Sequence, residues 1–175
     1  EIEGIHNRGN YDLSQHEKFS KTDLKYFDEE RKDKFLPWII ETSCGVDRLF
    51  LTFMFDAYND DKKRGNIVLK IHPRLAPLKV GIFSLVNKLN KDAEKIYDLL
   101  KNEFVCQFDT SGSIGRRYAR ADEIGIPYCI TVDFDTIDKK SKDYGTVTIR
   151  DRNTTKQERV KIFELKDVLK TLIYK

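Results

Sequence analysis

The chain has 175 residues, of which 39% are hydrophobic and 35% are charged, and its formal net charge is +3. This length fits one ordinary domain or two small ones, and the apolar content is sufficient for a packed core. The small net charge excludes a polycationic tail. It permits a nucleic-acid partner, because phosphate binding depends on where lysines and arginines cluster. The excess of basic residues lies downstream of Leu78, so the second part is the better candidate for such a partner.

Three cysteines, Cys44, Cys106 and Cys129, are an odd number without a Cys-x-x-Cys spacing, which indicates neither a disulfide framework nor a zinc site. A reducing cytoplasm is the predicted location. No apolar run approaches the roughly 20 residues that cross a bilayer, and nothing resembles a signal peptide, so no membrane association is expected. The sequence starts with Glu1 instead of methionine, and we expect it to begin inside a longer protein.

The first part of the chain contains one predicted hairpin and one predicted helix. Apolar runs at 24–27 and 35–40 flank a charged stretch and predict two strands around a solvated turn. Residues 46–58 are apolar on nearly every side, which predicts a buried helix packed against that hairpin. A polar loop is predicted at 59–65.

Two closely spaced prolines, Pro73 and Pro77, indicate a domain junction, and we predict two domains, 1–76 and 77–175. Beyond the junction, strands alternate with helices, which predicts an open α/β sandwich that is mostly parallel where helices cross over. The predicted strands cover 80–86, 105–108, 128–134 and 146–150, and the predicted helices cover 91–104, 114–123 and a closing stripe from Leu165 to Ile173.

The segment 41–48 carries the clearest chemical pattern, because a strand runs through a small-residue turn into the apolar helix. Glu41 could bind an ammonium group, and Gly45 would let a ligand approach the backbone closely. Arg48 could face a phosphate or a nucleobase. The structural alternative is that Ser43 caps the helix and Glu41 pairs with Arg48. The residue types alone favour this alternative.

The order of the residues changes that balance. The segment Glu41-Thr42-Ser43-Cys44-Gly45-Val46-Asp47-Arg48 resembles motif 3 of class II aminoacyl-tRNA synthetases, in the version found in glycyl-tRNA synthetases. The resemblance continues over almost the whole chain, in the blocks Glu1-Ile2-Glu3-Gly4-Ile5-His6-Asn7-Arg8, Tyr11-Asp12-Leu13-Ser14-Gln15-His16, His72-Pro73-Arg74-Leu75-Ala76-Pro77-Leu78-Lys79-Val80, Asp109-Thr110-Ser111-Gly112-Ser113-Ile114-Gly115-Arg116-Arg117-Tyr118 and Asp122-Glu123-Ile124-Gly125-Ile126-Pro127. It implies the remnant of a class II antiparallel sheet, followed by a three-layer α/β anticodon-binding domain with a five-stranded mixed sheet.

The activity implied by the resemblance is ATP-dependent conversion of glycine to glycyl-adenylate, followed by transfer of the glycyl group to tRNA(Gly). The implied enzyme is a homodimer, Mg²⁺ would arrive with ATP, and no metal site is expected in this chain. Glu41 and Arg48 are the implied catalytic residues. The implied ATP contacts are Glu1, Ile2, Gly45, Val46, Asp47 and Arg48, and the implied glycine contacts are Glu3, Glu41, Thr42, Ser43, Cys44 and Gly45. Cys44 is expected to be a packed small residue without a nucleophilic role.

Motifs 1 and 2 of the class are not found in the sequence, so a chain of this extent is not expected to catalyse alone. Without the missing part, the apolar helix at 46–58 is expected to leave exposed hydrophobic surface or to drive self-association. One rival hypothesis is a noncatalytic, synthetase-like tRNA-binding module. Another is a sister synthetase for threonine, proline or histidine. Retention of the motif 3 residues favours an enzyme, and the Glu-Gly-Ile and Gly-Val-Asp-Arg strings favour glycine.

Two groups of residues are candidates for contact with the anticodon. The first comprises arginines near a helix that follows a Gly-Ser loop, where helix N-termini bind phosphates, and the second is a lysine-rich loop with an aromatic residue that could stack a base. These residues are Arg116, Arg117 and Arg120, and Lys139, Lys140, Lys142 and Tyr144. The structural alternative is that Arg116 and Arg117 pair with Asp122 or Glu123, and that the lysines are only solvated.

Overall fold

The computed structural model describes residues 1–174, which form two compact units, one from Glu1 to Thr52 and one from Phe53 to the end of the described residues. The division between the units falls within a helix, between Thr52 and Phe53, and not at the predicted junction near residue 77. The segment between these two points packs with the second unit. Leu69 and Ile71 come within contact distance of the position that a Cβ atom would occupy on Gly125. The predicted boundary between residues 76 and 77 is a division between family domains, and it stays a prediction.

The first unit contains a two-stranded antiparallel sheet and a separate short hairpin. The predicted second hairpin strand, 35–40, is wrong as a single strand: Phe35 pairs with Tyr26, whereas the residues from Ile39 onwards pair with another strand. Pro37 lies between the two and has no backbone N–H to continue a ladder, which explains the break. The elements are β1 (Glu3–Gly9), α1 (Tyr11–Ser20), β2 (Tyr26–Asp28), β3 (Asp33–Phe35) and β4 (Ile39–Cys44), with β1 paired to β4 and β2 to β3.

Helix α2 (Val46–Ala57) begins and ends within a residue of its predicted bounds. The prediction that it is buried is wrong for this chain, because Phe50 is 64% exposed, Phe55 is 76% exposed and Ala57 is its one buried residue among those described. Its all-round apolar character matches a helix with neighbours on every side, and residues 1–174 do not supply that cover. The predicted exposed hydrophobic surface is confirmed.

A second hairpin stands where a polar loop is predicted. Strands β5 (Tyr58–Asp61) and β6 (Asn66–Leu69) pair antiparallel, with Asp61 opposite Asn66. The turn is closed by Asp61, whose side chain accepts a hydrogen bond from the N–H of Lys63, and by Gly65, which has φ of +70°. The charged residues of the turn give this segment the sequence pattern of a polar loop. Val68 on β6 is nevertheless fully buried.

The second unit is built around a five-stranded mixed sheet, as predicted. Its strand order is β11-β10-β9-β7-β8, with β8, β7 and β9 parallel and β10 and β11 antiparallel. Strand β11 is not visible in the sequence pattern because it is an edge strand of mainly exposed residues. The elements are β7 (Val80–Ser84), α3 (Asn90–Leu100), β8 (Cys106–Asp109), α4 (Ile114–Glu123), β9 (Tyr128–Val132), α5 (Phe134–Ile137), β10 (Thr146–Asp151), β11 (Gln157–Lys161) and α6 (Leu165–Tyr174).

Helices cover both faces of this sheet, which gives three layers. The residues of β7 alternate: Val80 and Ile82 face the core formed with α3 and α6, and Phe83 faces the smaller core formed with α4. All five residues of β7 and all five of β9 are buried. These central strands hold the connecting loops at both ends of the sheet in place.

Candidate nucleotide site and nucleic-acid interface

The first candidate site lies on β1 and β4, where the register decides which side chains share a face. Gly4 is opposite Ser43 and His6 is opposite Glu41 in the antiparallel pair. Directly opposite residues point to the same side, and successive residues alternate. Glu41 and Ser43 therefore share one face of the ribbon with His6.

Three other candidate residues, Glu3, Thr42 and Cys44, lie on the opposite face of the ribbon. Glu3 is opposite Cys44, and Ile5 is opposite Thr42. Within this register Glu3 does not share a face with Glu41, so the two carboxylates cannot close around one ammonium group without a change in the strand pairing. Glu1 and Ile2 precede β1, and both are exposed.

The partner of Glu41 is Arg8, a residue to which the sequence analysis assigned no role. Arg8 donates from Nη1 to Glu41 Oε2 at 2.7 Å and from Nε to Asp12 Oδ2 at 2.7 Å. The hydrogen bonds to Asp12 and then to Glu41 raise the pKa of Arg8 above its ordinary value. The predicted structural alternative, an ion pair between Glu41 and Arg48, is not the one formed. Arg8 follows His6 by two residues on the same strand, but its proximity to Glu41 appears only once β1 and β4 are paired.

Arg48 lies in the first turn of α2, and its Nη1 donates to the main-chain oxygen of Glu1 at 2.9 Å. This bond ties the first residue of the chain to the motif 3 segment. Around Gly45, a Cβ atom would meet the side chain of Arg48 at an ordinary 3.7 Å, so the backbone there is open to an approaching group. Val46, at 78%, and Asp47 are exposed beside it. The side chains around this turn are solvent-accessible, as a ligand site requires.

Residues 1–174 contain no cluster of three or more histidine, cysteine or acidic side chains suited to a metal ion. Cys44 is exposed, Cys106 is half-buried and Cys129 is buried, and all three are free thiols. Burial raises the pKa of Cys106 to about 11 and that of Cys129 to about 12. Every helix among the described residues is too short or too polar to cross a membrane.

The second candidate site follows from the topology of the five-stranded sheet. The chain moves from β7 to β8 on one side, and then crosses to β9 on the other side of β7. In open α/β sheets, ligands bind at the carboxyl ends of the strands, at the point where this direction reverses. An open cavity of about 480 Å³ lies there, and its lining includes Asn87, Lys88, Gly112 and Phe134. The ring of Phe134 is 53% exposed. We call this end of the sheet the carboxyl edge.

One loop at the carboxyl edge connects β8 to α4 and contains the Gly-Ser sequence. Arg120 donates from Nη2 to Asp109 Oδ2 at 2.6 Å and also to the main-chain oxygen of Ser111. Burial opposes ionisation of Asp109, but hydrogen bonds from the Ser111 N–H and from Arg120 outweigh it and lower the pKa of this carboxyl. Arg116 is exposed and has no hydrogen-bond or ion-pair partner within residues 1–174. Of the three predicted arginines, Arg116 is the one with a free guanidinium.

The other loop at this edge runs from β9 through α5 to β10. Asp133 caps α5 by accepting a hydrogen bond from the N–H of Thr136 at 3.0 Å. Arg159, on β11, donates to Asp133 at 2.5 Å and to Asp135 at 3.4 Å, so the start of the loop is fixed. The rest of the loop presents exposed side chains to solvent, those of Lys139, Lys140, Lys142 and Tyr144.

The predicted structural alternative for the arginines of α4 is also wrong. Asp122 does not pair with Arg116 or Arg117, because it is 2% exposed and is bound by Arg150 at 2.7 and 2.9 Å and by Arg64 at 3.3 Å. Arg117 is buried and binds main-chain oxygens instead. The basic residues of this unit therefore include a buried structural set, and the exposed ones include Arg116 and the loop lysines at the carboxyl edge.

Comparison with known proteins agrees with the fold of the second unit. The family described as "Anticodon binding domain" matches residues 79–172, which is more than half of the chain. The chain belongs to this family, whose matched region begins just before β7 and ends within α6.

The chain is similar over nearly its whole length to bacterial proteins named glycine–tRNA ligase. It is 48% identical to the protein of Lachnospira eligens over 169 residues, which are 95% of this chain and 36% of that protein. It is 47% identical to the proteins of Clostridium kluyveri and Borreliella burgdorferi, over 99% of this chain and 37% and 39% of theirs. The predicted resemblance is confirmed. The chain spans rather more than a third of the length of these relatives.

Proposed function

We propose that the chain is part of a glycine–tRNA ligase and that it supplies one side of the adenylate-forming site and the anticodon-binding domain. The observation that carries this proposal is the similarity to glycine–tRNA ligases over 95% of the chain, which includes both candidate sites. The whole enzyme would activate glycine with ATP and transfer it to tRNA(Gly). It would do so as a homodimer in the cytoplasm, where the three free thiols would remain reduced.

In the adenylate site, Glu41 is the proposed ligand for the ammonium group of glycine. Its carboxylate is held by Arg8 from one side, which fixes its position. Ser43 on the same face is proposed to donate or accept a further hydrogen bond. Glycine offers no side chain to bind, so alanine would have to be excluded by lack of room for a methyl group.

Arg48 is proposed to bind a phosphate of ATP. A guanidinium has five N–H donors, and Arg48 gives one of its Nη1 hydrogens to the carbonyl of Glu1, so the others remain available for phosphate oxygens. Gly45, Val46 and Asp47 are proposed to line the nucleotide site, together with Glu1 and Ile2. Mg²⁺ would accompany ATP and offset charge on its phosphates.

The carboxyl edge is proposed to bind the anticodon loop of tRNA. Arg116 and the loop lysines Lys139, Lys140 and Lys142 are exposed there and suit phosphates. The exposed ring of Phe134, beside the cavity of about 480 Å³, and that of Tyr144, which is 52% exposed, suit base stacking. Base stacking and phosphate contacts hold unpaired RNA on a protein, and hydrogen bonds to the base edges then discriminate between sequences.

The anticodon proposal is tested by the affinity of the 175-residue chain for a tRNA(Gly) transcript and for the same transcript with its anticodon bases replaced. We expect tighter binding of the unaltered transcript, and weaker binding after Arg116→Ala. The matched control is Lys156→Ala, because Lys156 is exposed and follows β10 at the opposite end of the sheet. Equal affinity for both transcripts, or an equal effect of the two substitutions, would contradict the proposal.

The catalytic proposal is tested by glycine-dependent ATP–pyrophosphate exchange in the full-length parent, with Arg48→Ala and Glu41→Ala. We expect exchange that is specific to glycine and is abolished by either substitution in a folded protein. A parent that binds tRNA but shows no exchange with any amino acid would instead be a noncatalytic binding module.

A further inference from the structure

We propose that Arg117 is a positioning residue, which holds two loops of the carboxyl edge in the arrangement that RNA binds. Its Nη1 donates to the main-chain oxygen of Ser84, at the end of β7, at 2.5 Å. Its Nη2 donates to the main-chain oxygens of Thr110 and Gly112, in the loop after β8, at 2.9 and 2.8 Å. One planar guanidinium thus joins the ends of two neighbouring strands.

The contacts of Arg117 explain why this position holds an arginine and not a lysine. Arg117 is 2% exposed and, within residues 1–174, donates to main-chain oxygens and to no carboxylate, so its charge is buried among main-chain carbonyl groups. Burying a cation in this way is costly unless the geometry of its hydrogen bonds is good. An ammonium group is a point donor, whereas the guanidinium has a rigid fork that reaches both loops at once.

The loop that Arg117 holds is also bound by Asp109 and Arg120, but both of those side chains bind it at Ser111 and not at Gly112. Ser111, Gly112 and Ser113 are all exposed, so no burial of side chains fixes them. Gly112 has φ of +74°, which a residue with a side chain rarely adopts, and its carbonyl is one of the two that Arg117 binds. The conformation that places Arg116 at the start of α4 therefore depends on a bond from the next residue along the helix.

The same arrangement extends to the other side of β7. The hydroxyl of Ser84 lies 3.3 Å from Nη1 of Arg117 and donates to Asn90 Oδ1 at 2.6 Å. Asn90 is the first residue of α3, which follows the loop that contributes Asn87 and Lys88 to the cavity. Arg117 also lines this cavity, and its Nε is buried without a partner among residues 1–174. All loops around the switch point except that of α5 are thus connected to this one side chain.

The inference rests on the proposed anticodon binding, and it assigns Arg117 a different role from that of Arg116. Because Arg117 is almost fully buried, it should affect affinity through the shape of the edge and not through a direct phosphate contact. Phosphate contacts set the dependence of affinity on salt concentration, whereas a positioning residue leaves that dependence unchanged. The two roles are therefore separable by measurement.

The experiment compares the full 175-residue chain with Arg117→Lys, Arg117→Met and Arg116→Ala. Affinity for the tRNA(Gly) transcript and for the transcript with altered anticodon is measured over a series of salt concentrations, after thermal unfolding has shown which variants are folded. Arg117→Lys keeps the charge and most of the length of the side chain, and it serves as the deciding variant if Arg117→Met does not fold. Amide hydrogen exchange of residues 110–113, without RNA, reports the order of the loop directly.

We expect Arg117→Lys to bind the tRNA(Gly) transcript about tenfold more weakly, which corresponds to the cost of ordering one or two loop residues on binding. The slope of log affinity against log salt should be unchanged, discrimination between the two transcripts should fall, and exchange at 110–113 should be faster. In Arg116→Ala, by contrast, the negative slope should become shallower by about 1, because one phosphate contact is lost.

Two results would overturn the assignment while leaving anticodon binding intact. In the first, Arg117→Lys binds and discriminates as well as the parent, which would show that charge suffices without the fork. In the second, its salt slope falls as in Arg116→Ala, which would show a direct phosphate contact. If the unaltered chain binds neither transcript, the proposed function fails, and the positioning role of Arg117 fails with it.

Discussion

Replacement of Asp122 by asparagine should be among the most destabilising single changes in the second unit. Asp122 is 2% exposed and is the acceptor for both terminal nitrogens of Arg150, which is itself 6% exposed. Arg64 adds a third N–H to the same carboxylate. Asp122→Asn preserves the shape but leaves the buried guanidinium of Arg150 without its counter-charge, whereas Arg64 keeps an ion pair with Asp61. Removing one partner of such a pair costs about 3–5 kcal/mol, against a total stability of about 5–15 kcal/mol for a domain.

The assay is urea denaturation followed by far-UV circular dichroism. Tryptophan fluorescence would report the wrong region, because the single tryptophan, Trp38, lies in the Glu1–Thr52 unit. With a slope of about 1–3 kcal/mol per M urea, the transition of the second unit should move by at least about 1 M. The matched control is Asp98→Asn, which breaks an exposed pair with Lys101 and should cost less than about 1 kcal/mol.

The reasoning would be refuted if Asp122→Asn cost no more than the Asp98→Asn control. A second variant separates charge burial from loss of packing. In Asp122→Asn combined with Arg150→Met, the stranded guanidinium of Arg150 is replaced by an apolar chain, so the double variant should be more stable than Asp122→Asn alone. If the double variant is less stable, packing of Arg150 over the Tyr118 ring, at 4.7 Å, is the larger contribution.

Three further outcomes are expected. Gly125→Ala should lower the melting temperature, because Gly125 has φ of +82° and a Cβ atom would lie 3.1 Å from Ile71; Gly115→Ala, where nothing lies within 4 Å, should not lower it. Stability towards urea should fall as the pH rises above about 9, because burial raises the pKa of Cys129 to about 12. Above pH 9 the folded chain keeps a thiol proton that the unfolded chain has released. Cys129→Ala should therefore reduce this loss of stability. The isolated chain should self-associate through the exposed side chains of α2, and Phe50→Glu should shift sedimentation velocity towards monomer.

The sequence predicted the central elements of the second unit well because their patterns are set by burial on both sides. Strands β7 and β9 are continuous apolar runs, and α3 shows a clear apolar stripe. Strand β11 and the β5–β6 hairpin were missed because their residues are mainly polar or half-exposed. Each of these strands pairs with its neighbour in sequence, β11 with β10 and β5 with β6. The position of the hairpin also depends on a distant contact, because the Arg64 side chain binds the carbonyls of Arg152 and Asn153.

The candidate residues themselves could be named from the sequence, but their partners could not. Glu41 and Arg48 are visible as motif residues, yet the partner of Glu41 is Arg8, and that depends on the register of β1 against β4. Similarly, Arg116, Arg117 and Arg120 are equivalent as a basic cluster in the sequence. Helical geometry separates Arg117 from the other two, because Arg116 and Arg120 are four residues apart and share a face of α4, whereas Arg117 points in another direction. Only the packing of α4 shows which of these directions is buried.

The difference between buried and exposed arginines matters for the proposed binding of RNA by a weakly basic domain. Of the arginines in the second unit, Arg117, Arg150 and Arg152 are buried, and they bind carbonyl groups or a carboxylate. Their charges contribute to folding and loop geometry, so net charge overstates what is available to phosphates. Among the exposed cations, Arg116 and the lysines of the 139–142 loop lie at the carboxyl edge, next to exposed aromatic rings. If this edge binds RNA as proposed, a small number of cations would be sufficient because Arg117 holds two of its loops in place, so less ordering would be needed on binding.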